Sequence, residues 1–263
     1  MAQMMANVPD ALPAPAALLW DVDGTLADTE LEGHRPAFNA AFREVGLPWH
    51  WDPPTDTRLL RVTGGRERLA AFIEDRTGRP AGPELLDALV ASKQAHYARF
   101  VREGRVALRP GVRRLIAQAR RAGLVQAIVT TSGRAAVEAL LQRLLRDLDD
   151  AFRFRICGED VRRKKPDPEA YRLALERLAL PAAAVLAIED SPQGLAAARG
   201  AGLPCLVTLR EGRSGPLPGD LSAACAVLDG LGESPAGPNV LQGPPCSDGE
   251  VSLAYLRQLL AAR

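Results

Sequence analysis

The sequence predicts an α/β fold: a doubly wound, Rossmann-like parallel sheet core with an inserted α-helical cap domain. Three observations carry that prediction. Short, uncharged apolar runs recur at 16–20, 125–130, 185–188 and 205–208, each followed by polar or Gly-rich residues. Runs of this kind are the pattern of strands buried on both faces. Helical patterns alternate with them from residue 112 onward, as in doubly wound sheets. Residues 32–104 break the alternation and carry only helical spacing.

The elements follow in order. The run at 16–20 is the first strand. "HRPAFNAAFREVG", "RERLAAFIEDRTG" and "ELLDALVASKQAHYARFV" place apolar residues at i, i+3 and i+4, so the insert is helical throughout. The aromatic segment "PWHWDPP" reads as a packing corner of that insert, with His50 in it structural. Helices are expected at 112–122 after Pro110-Gly111, at 134–145 after Ser132-Gly133, at 168–178 with Pro near its first turn, and at 194–199 before Gly200. The stretch "GESPAGPNVLQGPPCSDG" is rich in Pro and Gly and reads as a linker before a C-terminal helix, "EVSLAYLRQLLAAR". The expected organisation is therefore a catalytic core at 15–31 and 105–230, a cap at 32–104, and a linker and helix at 231–263 packing on the core. Hinges are expected near 29–33 and 103–110.

Composition narrows the function classes. The chain has 263 residues, 47% of them apolar and 25% charged, enough for one large domain or a core with an insert. A net charge of +1 gives no electrostatic footprint for nucleic acid or a membrane surface. Cys157, Cys205, Cys225 and Cys246 form no CxxC and have no His pair beside them, so they read as reduced thiols, not zinc ligands. The first dozen residues read as a disordered tail, not a signal peptide. No run of about 18 apolar residues exists to span a membrane. The expectation is a cytoplasmic monomer acting on a small molecule.

Four polar clusters follow the apolar runs: Asp21-Val22-Asp23-Gly24-Thr25, Thr130-Thr131-Ser132-Gly133-Arg134, Lys164-Lys165-Pro166-Asp167-Pro168 and Glu189-Asp190-Ser191. Parallel strands share one direction, so their C-terminal ends converge on one crevice. Carboxylates at Asp21, Asp23, Glu189 and Asp190 need a cation when gathered there, and hard oxygen ligands suit Mg²⁺. Thr130 and the backbone N–H groups after it suit a phosphate. Lys165 suits phosphate charge and favours an ionised carboxylate. Together the inventory describes phosphoryl transfer.

In order and spacing, "DVDGT", "IVTTS", "KKPDP" and "IEDS" resemble the four motifs of the haloacid dehalogenase superfamily of phosphohydrolases, over roughly residues 15–230. The resemblance implies that Asp21 is the nucleophile forming an aspartyl-phosphate and Asp23 the general acid/base. It implies that Thr130 binds the phosphoryl oxygen, Lys165 is the motif lysine, and Asp190 with Glu189 holds Mg²⁺, completed by the Asp21 carboxylate and the Asp23 backbone carbonyl. "DVDGTLADTELEGHRPAFNAAF", "VTGGRERLAAF" and "KQAHYARFV" look like the cap of the β-phosphoglucomutase-like branch, CbbY type, which is similar to xylulose-1,5-bisphosphate phosphatase and associated with the Calvin cycle. By that resemblance Asp28, His34, Gly65, Arg66 and Lys93 face the substrate, with Thr131 and Ser132 beside Thr130 and Arg134 on a second phosphate. Trp20 replaces the commoner Phe, Arg66 a frequent Lys, and Val90 stands where that type has a substrate-facing His. The implied activity is Mg²⁺-dependent hydrolysis of a sugar (bis)phosphate, xylulose 1,5-bisphosphate first. The alternative is a phosphosugar mutase using the same intermediate. Asp23 argues against hydrolytic dehalogenation, and Asp21 against a non-enzymatic binding module.

Overall fold

The computed structural model describes residues 15–209, 217, 219–233 and 237–261. The tail expected over the first dozen residues lies outside them. The described strands are β1 (Ala17–Trp20), β2 (Val125–Val129), β3 (Phe152–Ile156), β4 (Val185–Glu189), β5 (Cys205–Thr208), β6 (Ala226–Leu228) and β7 (Val240–Gln242). They form one sheet in the order β3-β2-β1-β4-β5-β6-β7, parallel throughout except for β6–β7. β1 is central, with Trp20 opposite Ile128 on one side and Ile188 on the other. The chain runs from β1 outward through β2 and β3, then crosses back to β4 on the far side of β1. That reversal makes the carboxyl ends of β1 and β4 the switch point of the sheet, where ligands bind in such folds.

The described helices are α1 (Arg35–Glu44), α2 (Pro53–Leu59), α3 (Gly65–Thr77), α4 (Pro83–Arg102), α5 (Val112–Arg121), α6 (Arg134–Leu144), α7 (Glu169–Leu178), α8 (Pro192–Gly200) and α9 (Leu253–Ala261). The period-2 alternation of β1 feeds two cores. Leu18 and Trp20 pack with Leu115 of α5, Leu140 of α6 and Leu256 of α9, while Ala17 and Leu19 pack with Tyr171 of α7 and Leu195 of α8. A third apolar cluster, with Phe38, Phe42, Trp51, Leu69, Phe72 and Leu89, belongs to α1–α4 alone. Helix α4 bridges the two layers. Its first half contributes Leu86 and Leu89 to the third cluster, and its second half contributes Tyr97, Phe100 and Val101 to the sheet core. In the aromatic corner Trp49 and Trp51 pack edge-on against Phe42 and Phe72, and His50 is exposed.

The structure adds three strands the sequence pattern does not announce. β3 reads "FRFRI", alternating with arginine at the sheet edge, so it shows no continuous apolar run. β6 and β7 are three residues each. β7 lies inside the stretch expected to be a linker, which is corrected here to an antiparallel edge strand followed by a tether. Arg114 of α5 ties both ends of this stretch to the core, donating to the carbonyls of Leu231 and Gly232 before β7 and of Val251 after it at 2.9–3.0 Å. Among the described residues, no helix is long and apolar enough to cross a membrane.

Candidate active site

Asp21 is the first residue past β1, Thr130 the first past β2, and Glu189–Asp190 straddle the end of β4. All four therefore stand at the carboxyl edge of the sheet. After Asp21 the chain makes a tight turn, with Gly24 N–H donating to Ala27 O at 2.9 Å and Leu26 N–H to Val22 O at 2.9 Å. Gly24 has φ +84°, and a Cβ there would lie 2.1 Å from Asp190 Oδ2. Glycine is needed twice over: for the backbone angle and for the approach of Asp190.

The carboxylates divide into two groups. Asp21, Glu189 and Asp190 each offer an oxygen, and these atoms lie within 4.8 Å of one another. Lys165, buried, donates to Asp21 Oδ1 and Glu189 Oε1 at 2.6 Å each and to Val129 O at 2.8 Å, using all three ammonium protons. Tyr171 Oη donates to the same Glu189 oxygen. Gly194 in the first turn of α8 leaves the space Glu189 occupies, since a Cβ there would meet Glu189 Oε2 at 1.8 Å. Burial, opposed by Lys165 and reinforced by Glu189 and Asp23, pushes the Asp21 carboxyl up to about 7. Burial and then the charges of Asp21 and Glu189 push Asp190 well above its ordinary value. Burial works against the Lys165 ammonium, but Asp21 and Glu189 outweigh it and raise its pKa. Two buried cations, Lys165 and the nearby Arg109, thus face three carboxylates, an imbalance a divalent cation would relieve. The all-oxygen donor set fits Mg²⁺.

Asp23 belongs to the other group. Its Oδ1 accepts from Thr29 Oγ1 at 2.7 Å and meets His34 Nε2 at 2.8 Å, and its Oδ2 accepts from Ser132 Oγ. Burial opposes its ionisation. Contact with His34, followed by the bonds from Ser132 and Thr29, outweighs burial and holds the carboxyl below the usual carboxylate range. His34 is buried, stacks on Tyr97 at 4.2 Å, and has Lys93 Nζ 2.9 Å from its Nδ1. His34 thus links Lys93 and Asp23 through its two ring nitrogens. Lys93 Nζ lies between the Phe38 and Tyr97 rings, 5.0 and 5.2 Å from their centroids. Burial, partly offset by Asp23 and Glu30, lowers its pKa to about 8.

These groups open onto a cavity of about 1670 Å³ between the sheet edge and α1–α4. Of the residues expected at the site, Asp21, Asp23, Asp28, His34, Gly65, Lys93, Thr131, Ser132, Lys165, Glu189 and Asp190 line it. Thr130 is buried beneath, its Oγ1 accepting from Ser132 N–H at 3.1 Å. Arg66 and Arg134 are not in the lining. Arg66 is exposed and pairs with Asp87 at 2.5 Å, because residue 66 faces away from the cavity on α3. Arg134 is turned to Asp160, 2.6 Å away. Val90 packs on the third apolar cluster.

The cavity also takes residues that sequence reasoning missed: Glu30, Asp56, Arg61, Thr63 and Arg68. Arg68 is buried and pairs with Glu30 at 3.4 Å. A signal for it existed. It sits one residue before Leu69 and four before Phe72, on the apolar flank of α3, where a solvated arginine has no place. Thr63 Oγ1 donates to Lys165 O, and Lys164 binds both Glu67 oxygens at 2.7 and 2.8 Å, joining α3 and the loop before it to the sheet edge.

The family model for haloacid dehalogenase-like hydrolases matches residues 15–202. The chain belongs to the haloacid dehalogenase-like hydrolases. It is a phosphohydrolase of the CbbY type. It is 52% identical over 198 residues to the plasmid-borne protein CbbY of Cupriavidus necator, spanning 73% of this chain and 77% of that one. A mutant of CbbY from Rhodobacter sphaeroides, crystallised with xylulose-(1,5)bisphosphate, superposes with a TM-score of 0.75 at 40% identity, covering 82% of this chain and 94% of that one. The same protein crystallised with phosphate gives 0.74 at 41% identity, with the same coverage. Residues 203–261, which carry β5–β7 and α9, lie beyond the family match.

Proposed function

We propose that this chain is a Mg²⁺-dependent phosphatase of a sugar bisphosphate, xylulose 1,5-bisphosphate first, working through an aspartyl-phosphate at Asp21. The observation that carries the reading is the split between Asp21 and Asp23. Two residues apart in sequence, they are held by different partners in different electrostatic surroundings. Mg²⁺, bound by Asp21, Asp190, Glu189 and the Asp23 carbonyl, would screen phosphoryl charge and keep the Asp21 carboxylate ionised. The Asp21 carboxylate attacks phosphorus, and the bond from phosphorus to the sugar oxygen breaks. Lys165 holds Asp21 in place for that attack.

Asp23 enters at two points. In the free protein it is an anion held by His34, Ser132 and Thr29. A bound phosphate dianion raises its proton affinity, so Asp23 takes up a proton from solvent as substrate binds and delivers it to the leaving alkoxide. Once that proton is given to the sugar, the Asp23 carboxylate takes a proton from the water that attacks the aspartyl-phosphate. Phosphate leaves and Asp21 is regenerated.

The cations over the cavity support a second phosphate. Lys93, Arg61 and Arg68 line the cavity, and Arg66 and Arg134 do not. CbbY crystallised with xylulose bisphosphate supports the same choice of ligand. Residues 32–104 then act as the cap over the core, joined to it through Thr63–Lys165 and Lys164–Glu67.

The test is phosphate release with Mg²⁺ from xylulose 1,5-bisphosphate, ribulose 1,5-bisphosphate and β-glucose 1-phosphate. A preference of orders of magnitude for the first supports the proposal. Even, slow release from all three removes the bisphosphate assignment, and isomerised glucose phosphate without phosphate release removes the phosphatase.

A further inference from the structure

Arg109 is a buried arginine that the chemistry above leaves unused. It is the last residue before Pro110-Gly111, where the chain returns from α4 to the sheet, and only 5% of it is exposed. Its backbone N–H donates to Leu26 O at 2.9 Å, and Leu108 bridges Ala27. Its guanidinium then passes under the turn that follows β1. Nη1 donates to Gly24 O, to Thr208 O at 2.9 Å and to Thr208 Oγ1 at 3.0 Å, and Nη2 donates to Leu209 O.

These contacts have a geometric consequence. Gly24 N–H is already tied to Ala27 O, which fixes the peptide plane carrying the Asp23 carbonyl. Arg109 fixes the next plane through the Gly24 carbonyl. Gly24 has no side chain to restrict it, so these two bonds set its φ and ψ. They thereby set both the direction of the Asp23 carbonyl and the hollow into which Asp190 Oδ2 fits. By tying the same guanidinium to the end of β5, the protein braces the turn after β1 against a neighbour of β4. A buried guanidinium also needs an anion nearby, and Asp190 is within reach of its field.

We propose that Arg109 is a positioning residue: its guanidinium clamps Gly24 to the end of β5 and so holds the Asp23 carbonyl and Asp190 in the arrangement that takes Mg²⁺. The proposal rests on the Mg²⁺-dependent reading above. Lysine cannot replace arginine here, because one ammonium nitrogen cannot reach the Gly24 and Leu209 carbonyls with the geometry of a planar fork. Outer-shell partners of metal ligands are typically worth 10–100-fold in affinity.

The experiment is calorimetric titration of Mg²⁺ alone into the full chain and into Arg109→Lys and Arg109→Gln, with circular dichroism and thermal unfolding as the check on folding. The expected result is about tenfold weaker Mg²⁺ binding in Arg109→Lys. Turnover should fall with little change in KM and recover in part when Mg²⁺ is raised. If Arg109→Gln fails to fold, Arg109→Lys still decides. A folded Arg109→Lys with unchanged Mg²⁺ affinity, whatever its thermal stability, reduces Arg109 to a structural tie and overturns the proposal alone. Tighter binding in a folded Arg109→Gln also overturns it, because that variant removes a repelling charge and tighter binding would be its sign. No Mg²⁺ binding by the unaltered chain overturns the metal reading and this proposal with it.

Discussion

His34 Nε2 lies 2.8 Å from Asp23 Oδ1, so a residue at the start of the helical layer touches the carboxylate two residues past Asp21. Lys93 on α4 holds the other ring nitrogen at 2.9 Å. The state of Asp23 is thus set in part by the helices above the sheet. On the acid/base role proposed for Asp23, His34→Ala should cut turnover by about 10²-fold while leaving the fold intact, the low end of what acid/base catalysis contributes. Steady-state kinetics on the preferred sugar phosphate check it, with Asp23→Asn as the reference. Because the two residues act as a unit, the double variant should cost little more than Asp23→Asn alone.

Lys93 supplies a pH dependence. Burial lowers its pKa to about 8, so its cation is present below that pH and lost above it. A cation needed to bind phosphate and to hold His34 then gives a falling alkaline limb in kcat/KM, centred near 8 in the free enzyme. Arg titrates far higher, so Lys93→Arg should abolish that limb even if its overall rate is lower. The pH profile of kcat/KM for both proteins measures it. An unmoved limb would assign it to another group. The sign for stability is opposite: between about 8 and the ordinary lysine value the unfolded chain binds the proton more tightly, so this group's contribution to stability rises with pH over that window.

Arg66 and Arg68 separate what sequence resemblance implies from what the packing shows. They are two residues apart, about 200° around the helix at 3.6 residues per turn. Arg66 faces Asp87 and solvent; Arg68 is buried over the cavity against Glu30. Arg66→Ala should leave KM for a sugar bisphosphate within about twofold, since exposed ion pairs contribute little. Arg68→Ala should raise it about tenfold or more, the loss expected for a charge-assisted contact to phosphate. Comparing a bisphosphate with its monophosphate checks whether the loss tracks the second phosphate.

How much was legible in the sequence follows from these residues. The strand-end clusters were readable because a run of buried residues must stop, and the polar residue that follows is fixed at the sheet edge by β geometry alone. Asp21, Glu189 and Asp190 needed no tertiary information beyond parallel strands. Helix faces are different. Glu30 and Asp56, and Arg61 in the turn after α2, resemble a solvated charged surface until the helical layer is packed over the sheet. β3 hid behind Arg153 and Arg155 at an edge. Arg109 hid because nothing local distinguishes an arginine before Pro-Gly from a surface one; its partners lie 85–100 residues away in the chain.

Gly194 gives a test confined to the floor of the site. It lies in the first turn of α8, where Ser191 caps the helix by accepting from the Gly194 N–H at 3.1 Å. Helix propensity alone would favour alanine there by about 1 kcal/mol. Packing forbids it, because the added Cβ would stand 1.8 Å from Glu189 Oε2, on a residue only 1% exposed. Glu189 would have to shift away from Tyr171 and Lys165, leaving buried polar groups badly paired. Gly194→Ala should therefore destabilise the protein by about 1–3 kcal/mol despite its better helix propensity. Thermal or urea unfolding measures the loss. Since Lys165 links Glu189 to Asp21, turnover should fall in the same variant at temperatures where it remains folded.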